Sequence, residues 1–288
     1  MNRGLRRFVS RSMRLAIRPQ TEFTTQSRSA LNRAITHVPR EGIEMNIGII
    51  GAGHIGATLA RKLAACGHQI KLANSKDPQS IQTLADEVGA KAVTKEQAVA
   101  DVDVIILSIP FARYPDLKQT LSQVPEQVVV IDTSNYYPQR DGAIREVDEG
   151  KPESVWVSEQ IGRPLIKAWN AVLAATLADQ GQPAESANRI ALPVAGDDPR
   201  AEAIAQDLVE ETGFTALAAG GLQDSWRQQP GTPAYCTELT LPALKLALEA
   251  ADKARAPLNR DALMVRFMAP DSEFTREQMV AINREMTA

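Results

Sequence analysis

The sequence predicts an α/β protein, a doubly wound, mostly parallel sheet with a C-terminal helical segment. Three observations predict it. Strand-like and helix-like segments alternate from Met45 to Gly221, as in crossover-connected parallel sheets. A glycine-rich loop joins the first strand to the first helix. From Leu222 onward the pattern changes to turns and helix. The expected divisions are residues 1–44 as a basic tail, 45–221 as the α/β domain and 222–288 as the helical segment.

The elements follow in order. "MNIGII" (Met45 to Ile50) is apolar, β-branched and stopped by Gly51, which reads as a buried parallel strand. In "HIGATLARKLAAC" the apolar residues Ile55, Leu59, Leu63 and Cys66 recur at helical spacing, and Gly67 is placed to end the helix. "QIKLA" is the second strand. Pro78 then opens a helical stretch that runs to Gly89. "KAV" is a short third strand, followed by a short helix near Lys95 to Ala100. "VDVIILSI" is the strongest strand, stopped by Pro110; "YPDLKQTLSQV" is a helix and "QVVVID" the fifth strand. "GRPLIKAWN" and "RIALPVAG" read as the sixth and seventh strands, and "DPRAEAIAQDLVEETG" as an amphipathic helix. Beyond Leu222, "QDSWRQQPGTPAYC" is turn-rich, and "TLPALKLALEAADKARAP" and "TREQMVAINREM" are helical.

Gly51-Ala52-Gly53-His54-Ile55-Gly56 matches G-x-G-x-x-G between a strand and a helix. Each glycine has its own reason. Gly51 permits the tight turn, Gly53 lets backbone approach a pyrophosphate, and Gly56 lets the helix pack closely. The helix N-terminus then favours an anion. The motif therefore predicts a Rossmann-like dinucleotide site.

A carboxylate about 20 residues after such a loop normally holds the ribose 2′-hydroxyl. Here the second strand ends on Asn74-Ser75-Lys76. A carboxylate would repel a 2′-phosphate, whereas two neutral donors and a cation would hold it. The triplet favours NADP(H) over NAD(H). Further contacts are expected where other strands end: Ser108, Ile109, Pro110 and Asn135 on the cofactor side, and Tyr114, Tyr136, Trp169, Asn170 and Trp226 on the substrate side. No residue stands out as catalytic.

Composition narrows the class. The 288 residues are 44% hydrophobic and 23% charged, which fits a soluble globular chain. Cys66 and Cys236 have no metal or disulfide spacing and are expected to be buried. Three histidines are too few for a His-rich metal site, and no metal is expected. Residues 1–44 hold nine arginines, no lysine and three glutamates, a net of +6; the rest carries −9. That acidic body argues against nucleic acid. The absence of an apolar run near 18 residues argues against a membrane span. The basic segment reads as a transit-like peptide, a disordered arm, or sequence upstream of a start at Met45. The expected location is cytoplasmic, or the mitochondrial matrix if the segment is a transit peptide.

"MNIGIIGAGHIGATLARKLAACGH", "LANSKDP", "VIILSIP" and "LIKAWN", in this order, resemble the NADP-dependent oxidoreductases of the coenzyme F420 type. They are also similar to the cytosolic domain of transmembrane metalloreductases. The resemblance spans about Met45 to Gly221 and implies hydride transfer between NADP(H) and a flavin, a deazaflavin or a similar planar acceptor. It also implies NADP contacts at Gly51 to Gly56, Asn74 to Lys76, Ser108, Ile109 and Ala168. The tail "DSWRQQPGTPAYC" departs from the pattern, so Trp226, Arg227 and Tyr235 are expected to shape a different acceptor pocket or a homodimer contact. Two other functions stay open: a non-enzymatic NADP(H) redox sensor, and a small hydroxy-acid or imine reductase.

Overall fold

The computed structural model describes residues 44–269 and 273–288. The predicted basic tail, apart from Glu44, lies outside the described residues. β1 (Asn46–Ile50), α1 (His54–Ala65) and β2 (Gln69–Ala73) open the fold. A 3₁₀ turn (Pro78–Ile81) then leads into α2 (Gln82–Val88), β3 (Ala90–Ala92), α3 (Lys95–Ala98) and β4 (Val104–Leu107). A second 3₁₀ turn (Phe111–Leu117) precedes α4 (Lys118–Leu121) and β5 (Val129–Asp132). Three helices follow, α5 (Pro138–Asp141), α6 (Arg145–Asp148) and α7 (Glu153–Ile161), before β6 (Ile166–Lys167). Then come α8 (Ala174–Asp179), β7 (Ala191–Val194), α9 (Pro199–Glu211) and β8 (Thr215–Ala218). A third 3₁₀ turn (Leu222–Gln228) leads to α10 (Leu241–Glu249), α11 (Arg255–Phe267) and α12 (Arg276–Thr287).

The main sheet has the order β3-β2-β1-β4-β5-β6, and every neighbouring pair is parallel. This is the doubly wound order whose switch point lies between β1 and β4. Alternate residues feed two cores. Ile47, Ile49, Val104, Ile106, Val129 and Ile131 face one side, together with Leu59 and Leu63 of α1 and Leu208 of α9. Ile50, Ile105, Leu107 and Val130 face the other, against Phe111, Trp156 and Val157. Burial on both faces explains why these strands read as continuous apolar runs. The register aligns Ile50 with Ala73 and Leu107, and Asp132 with Leu107 and Lys167. The residues that follow each strand therefore stand along one edge.

The structure differs from the sequence reading in several places; "YPDLKQTLSQV", for one, is a 3₁₀ turn running into the four-residue α4 rather than one helix. The sixth strand is only Ile166–Lys167; Gly162, left-handed at φ 70°, ends α7 before it, and Trp169, at φ 54°, turns the chain after it. "RIALPVAG" does not extend the parallel sheet. β7 pairs with β8, and its end meets the main sheet through one antiparallel bridge, Lys167 with Ala195. The stretch 240–257, read as helical, holds α10 and the start of α11 with a break before Arg255. Continued as one helix, it would drive the Pro257 ring into the carbonyl four residues back; instead Asp252 caps a new start, accepting from the backbone N–H groups of Ala254 and Arg255. Cys66 is exposed, while Cys236 is buried as expected. Among the described residues, no helix is long and apolar enough to cross a membrane.

Candidate functional site

At the switch point a cleft of about 930 Å³ opens over the end of β1. Three segments wall it: Gly51 to Gly53, Asn74 to Lys76, and Ser108 to Pro110. β1 lies between β2 and β4, so the last two flank the glycine loop on either side. These nine predicted residues are brought together. His54, Ile55 and Gly56 form the first turn of α1 behind the loop.

The three glycines separate physically. Gly51 has φ 115°, and a Cβ there would sit 2.0 Å from the Ser108 carbonyl oxygen. At Gly56 a Cβ would sit 1.9 Å from the Gly51 carbonyl oxygen, so α1 packs on the loop itself. At Gly53 a Cβ would meet nothing within 4 Å. That open space is a cradle that a side chain would fill and a diphosphate can use. No side chain caps α1 and no acid stands in its first turn, which leaves the helix dipole for an anionic ligand.

The Asn74-Ser75-Lys76 triplet divides its duties. The Asn74 carboxamide oxygen accepts from the Lys76 N–H (2.9 Å), and its NH₂ donates to Ser80 (2.9 Å). Asn74 therefore organises the turn more than it offers a free donor. The nearby acid, Asp77, caps the following 3₁₀ turn by accepting from the Ser80 N–H at 3.0 Å. Ser75 and Lys76 are exposed. Among the described residues no carboxylate pairs with Lys76, and the cation is left to the cleft.

The substrate-side expectations fare differently. Tyr114 is fully buried, and its hydroxyl donates to the Asp132 carboxylate. Tyr136 is fully buried too; its hydroxyl accepts from the Ile144 N–H (2.9 Å) and donates to Asp148 (3.0 Å). Trp169 lies in the opposite core and donates to Thr212 at 3.1 Å. None of these three lines the cleft; each large ring is buried in a core instead. Ala168 is likewise buried, its N–H donating to the Asp132 carbonyl (3.2 Å), and it does not line the cleft. Asn135 and Asn170 hold each other: Asn135 donates to the Asn170 carbonyl (2.9 Å), and Asn170 returns the bond at 3.0 Å. Gln228 joins them, donating to Asn170 at 2.8 Å, so the C-terminal segment is tied to the ends of β5 and β6. Trp226 is half-buried under the Arg227 guanidinium, 4.5 Å from the ring centre, and does not line the cleft.

Sequence reasoning missed a buried ionisable cluster beside this edge. Lys167 and Asp132 are fully buried and bonded at 2.7 Å, and Lys167 also donates to the Ser134 carbonyl. The signal was present as an acid ending "VVVID" and a cation inside "LIKAWN". Glu153 is a second buried acid, accepting from the Tyr136 N–H at 3.1 Å. Burial pushes its carboxyl up to about 7, against a partial offset from Lys167. A carboxyl raised on folding contributes stability below its ordinary value and loses it as pH rises through 7. The melting temperature is therefore expected to fall between pH 5 and pH 8. Glu153→Gln should flatten that fall, and an undiminished slope in the variant would refute the assignment. A further pair, Tyr137 and Tyr235, shares a hydroxyl–hydroxyl bond of 2.6 Å between the end of β5 and the C-terminal segment.

Comparisons with known proteins agree with this geometry. The profile of the family described as NADP oxidoreductase, coenzyme F420-dependent, matches residues 46–136. The chain is 34% identical over 104 residues to "Putative protein YjhV" of Escherichia coli (strain K12), covering 36% of this chain and 76% of that protein. The crystal structure of the hypothetical protein SMa0349 from Sinorhizobium meliloti superposes with a TM-score of 0.56 at 30% identity, covering 66% of this chain and 92% of that one. A "putative f420 dependent nadp-reductase" from Arthrobacter sp. FB24 shares the fold, with a TM-score of 0.53 at 17% identity over 63% of this chain and 87% of that one.

Proposed function

The chain belongs to the coenzyme F420-dependent NADP oxidoreductase family, and from that premise we propose that this nicotinamide-dependent oxidoreductase prefers NADP(H) and exchanges hydride with a flavin- or deazaflavin-like ring acceptor. The observation that carries the preference is Lys76, a cation on the cleft wall with no carboxylate partner among the described residues. Asp77, the acid that would oppose a 2′-phosphate, is turned onto its own 3₁₀ turn.

The residues present fit the cofactor. Gly53 and the first turn of α1 would take the diphosphate, Ser75 and Lys76 the 2′-phosphate, and Ser108 to Pro110 the far wall. Bound there, the nicotinamide supplies or accepts a hydride. What this chain adds is binding and orientation. Asn74 presets the loop that presents Lys76, and the register of β1, β2 and β4 holds the three walls together. The acceptor class is supported by the family and by the commitment of the Tyr114 and Tyr136 hydroxyls to Asp132 and Asp148. A ring that takes hydride by stacking does not require either as a fixed acid.

Lys76→Ala is expected to weaken NADP(H) binding by about 1.5–3 kcal/mol, the range for a hydrogen bond to a charged group. Lys76 is exposed, so the loss should sit at the low end and shrink with added salt. NAD(H) binding should not change. Fluorescence titration of both cofactors against both proteins decides it: equal losses would show that Lys76 does not read the phosphate.

A further inference from the structure

We propose that Arg113 is a second specificity residue of this cleft, exchanging its ion pair with Asp116 for the 2′-phosphate of NADP(H); this rests on the NADP(H) reading above and adds a partner to it. Arg113 and Asp116 line the cleft from the segment after β4, across the glycine loop from Lys76. They stand on the 3₁₀ turn Phe111–Leu117. In such a turn residues three apart eclipse each other. Phe111, Tyr114 and Leu117 occupy one row and are buried. Arg113 and Asp116 occupy another and remain open, with side chains 68% and 51% exposed. The buried row anchors the turn, so the guanidinium is presented from a fixed base.

The present partner of Arg113 is weak. Its Nη2 donates to Asp116 Oδ2 at 2.6 Å, but an exposed pair of this kind shifts an equilibrium by at most about fivefold. A phosphate dianion offers more charge and a geometry that matches the guanidinium fork. Asp116 then acts as a placeholder. It keeps Arg113 extended along the turn without ligand, and its charge competes with the phosphate. The third cation on this cleft besides Lys76 and Arg113, Lys95, is 3.8 Å from Glu96 on its own helix.

The two members of the pair therefore predict opposite signs. Arg113→Ala should weaken binding of 2′,5′-ADP by about fifteenfold, the low end of the range for hydrogen bonds to charged groups, and change ADP binding by less than about twofold. Asp116→Asn should tighten 2′,5′-ADP by about two- to fivefold, since a competitor of surface ion-pair strength is removed. Calorimetric titration of both nucleotides into wild type and variants gives the answer, with melting curves to confirm that each variant folds. Equal losses for the two nucleotides in Arg113→Ala, or weaker 2′,5′-ADP binding in Asp116→Asn, would overturn the proposal while leaving Lys76 untouched. A wild-type protein that binds the two nucleotides alike would bring down the NADP(H) preference itself, and the role of Arg113 with it.

Discussion

Lys167→Ala is expected to destabilise the protein by about 3–5 kcal/mol, the range for breaking a buried ion pair from one side. Both partners are fully buried and 2.7 Å apart. Asp132 would keep the Tyr114 hydroxyl and the Ser134 N–H (2.8 Å) but lose its only cation among the described residues. The Ser134 carbonyl would lose its Lys167 donor as well. Truncation would also leave a cavity where the fully buried lysine stem sits. Paired replacement behaves differently. Lys167→Met with Asp132→Asn removes both charges at similar volume and keeps an amide oxygen for the Tyr114 hydroxyl and the Ser134 N–H, so much of the loss should return. Urea unfolding of the three proteins checks this. A loss under about 1 kcal/mol for Lys167→Ala would mean that water reaches the pair, since that is the value of an exposed one.

Gly53→Ala and Gly56→Ala are expected to fail in different ways. At Gly53 the backbone is extended and a Cβ meets no atom within 4 Å, so folding should lose only about 0.5–1 kcal/mol, the preference of an N-cap position for glycine over alanine. The methyl would instead occupy the space offered to the diphosphate. Overpacking costs about 1–3 kcal/mol, so NADP(H) affinity should drop roughly ten- to hundredfold. At Gly56 the methyl would collide with the Gly51 carbonyl oxygen at 1.9 Å. The loop or α1 must then move, and stability and affinity should fall together, each by about 1–3 kcal/mol. Melting temperature and cofactor titration, run side by side, separate the two. Wild-type affinity in Gly53→Ala would place the diphosphate elsewhere.

The elements nearest the glycine loop were legible because their signals are local. The second strand is Gln69–Ala73, as the sequence predicts, and α1 ends where Gly67 takes a left-handed φ of 99°. The α5, α6 and α7 segment was not legible. Helices of four residues, such as Pro138–Asp141 and Arg145–Asp148, are barely one turn and show no apolar period. β7 read correctly as a strand but not as a member of a second sheet. Trp169 turns the chain with φ 54°, and nothing in its own sequence announces a left-handed tryptophan.

The same division holds at the site. Sequence by itself determined the glycine turn, the anion-ready helix start and the missing acid after β2, because backbone freedom and charge belong to individual residues. Only the tertiary structure decided how those residues are spent. It put Asn74 to work on the Lys76 N–H, turned Asp77 toward Ser80 and left Lys76 to the cleft. It buried Tyr114 and Tyr136, joined Lys167 to Asp132 across 35 positions and set Arg113 on the wall across from Lys76. The physical reason is strand order. Insertion of β1 between β2 and β4 brings three distant segments to one edge, and burial then selects which polar groups satisfy one another and which remain for a ligand.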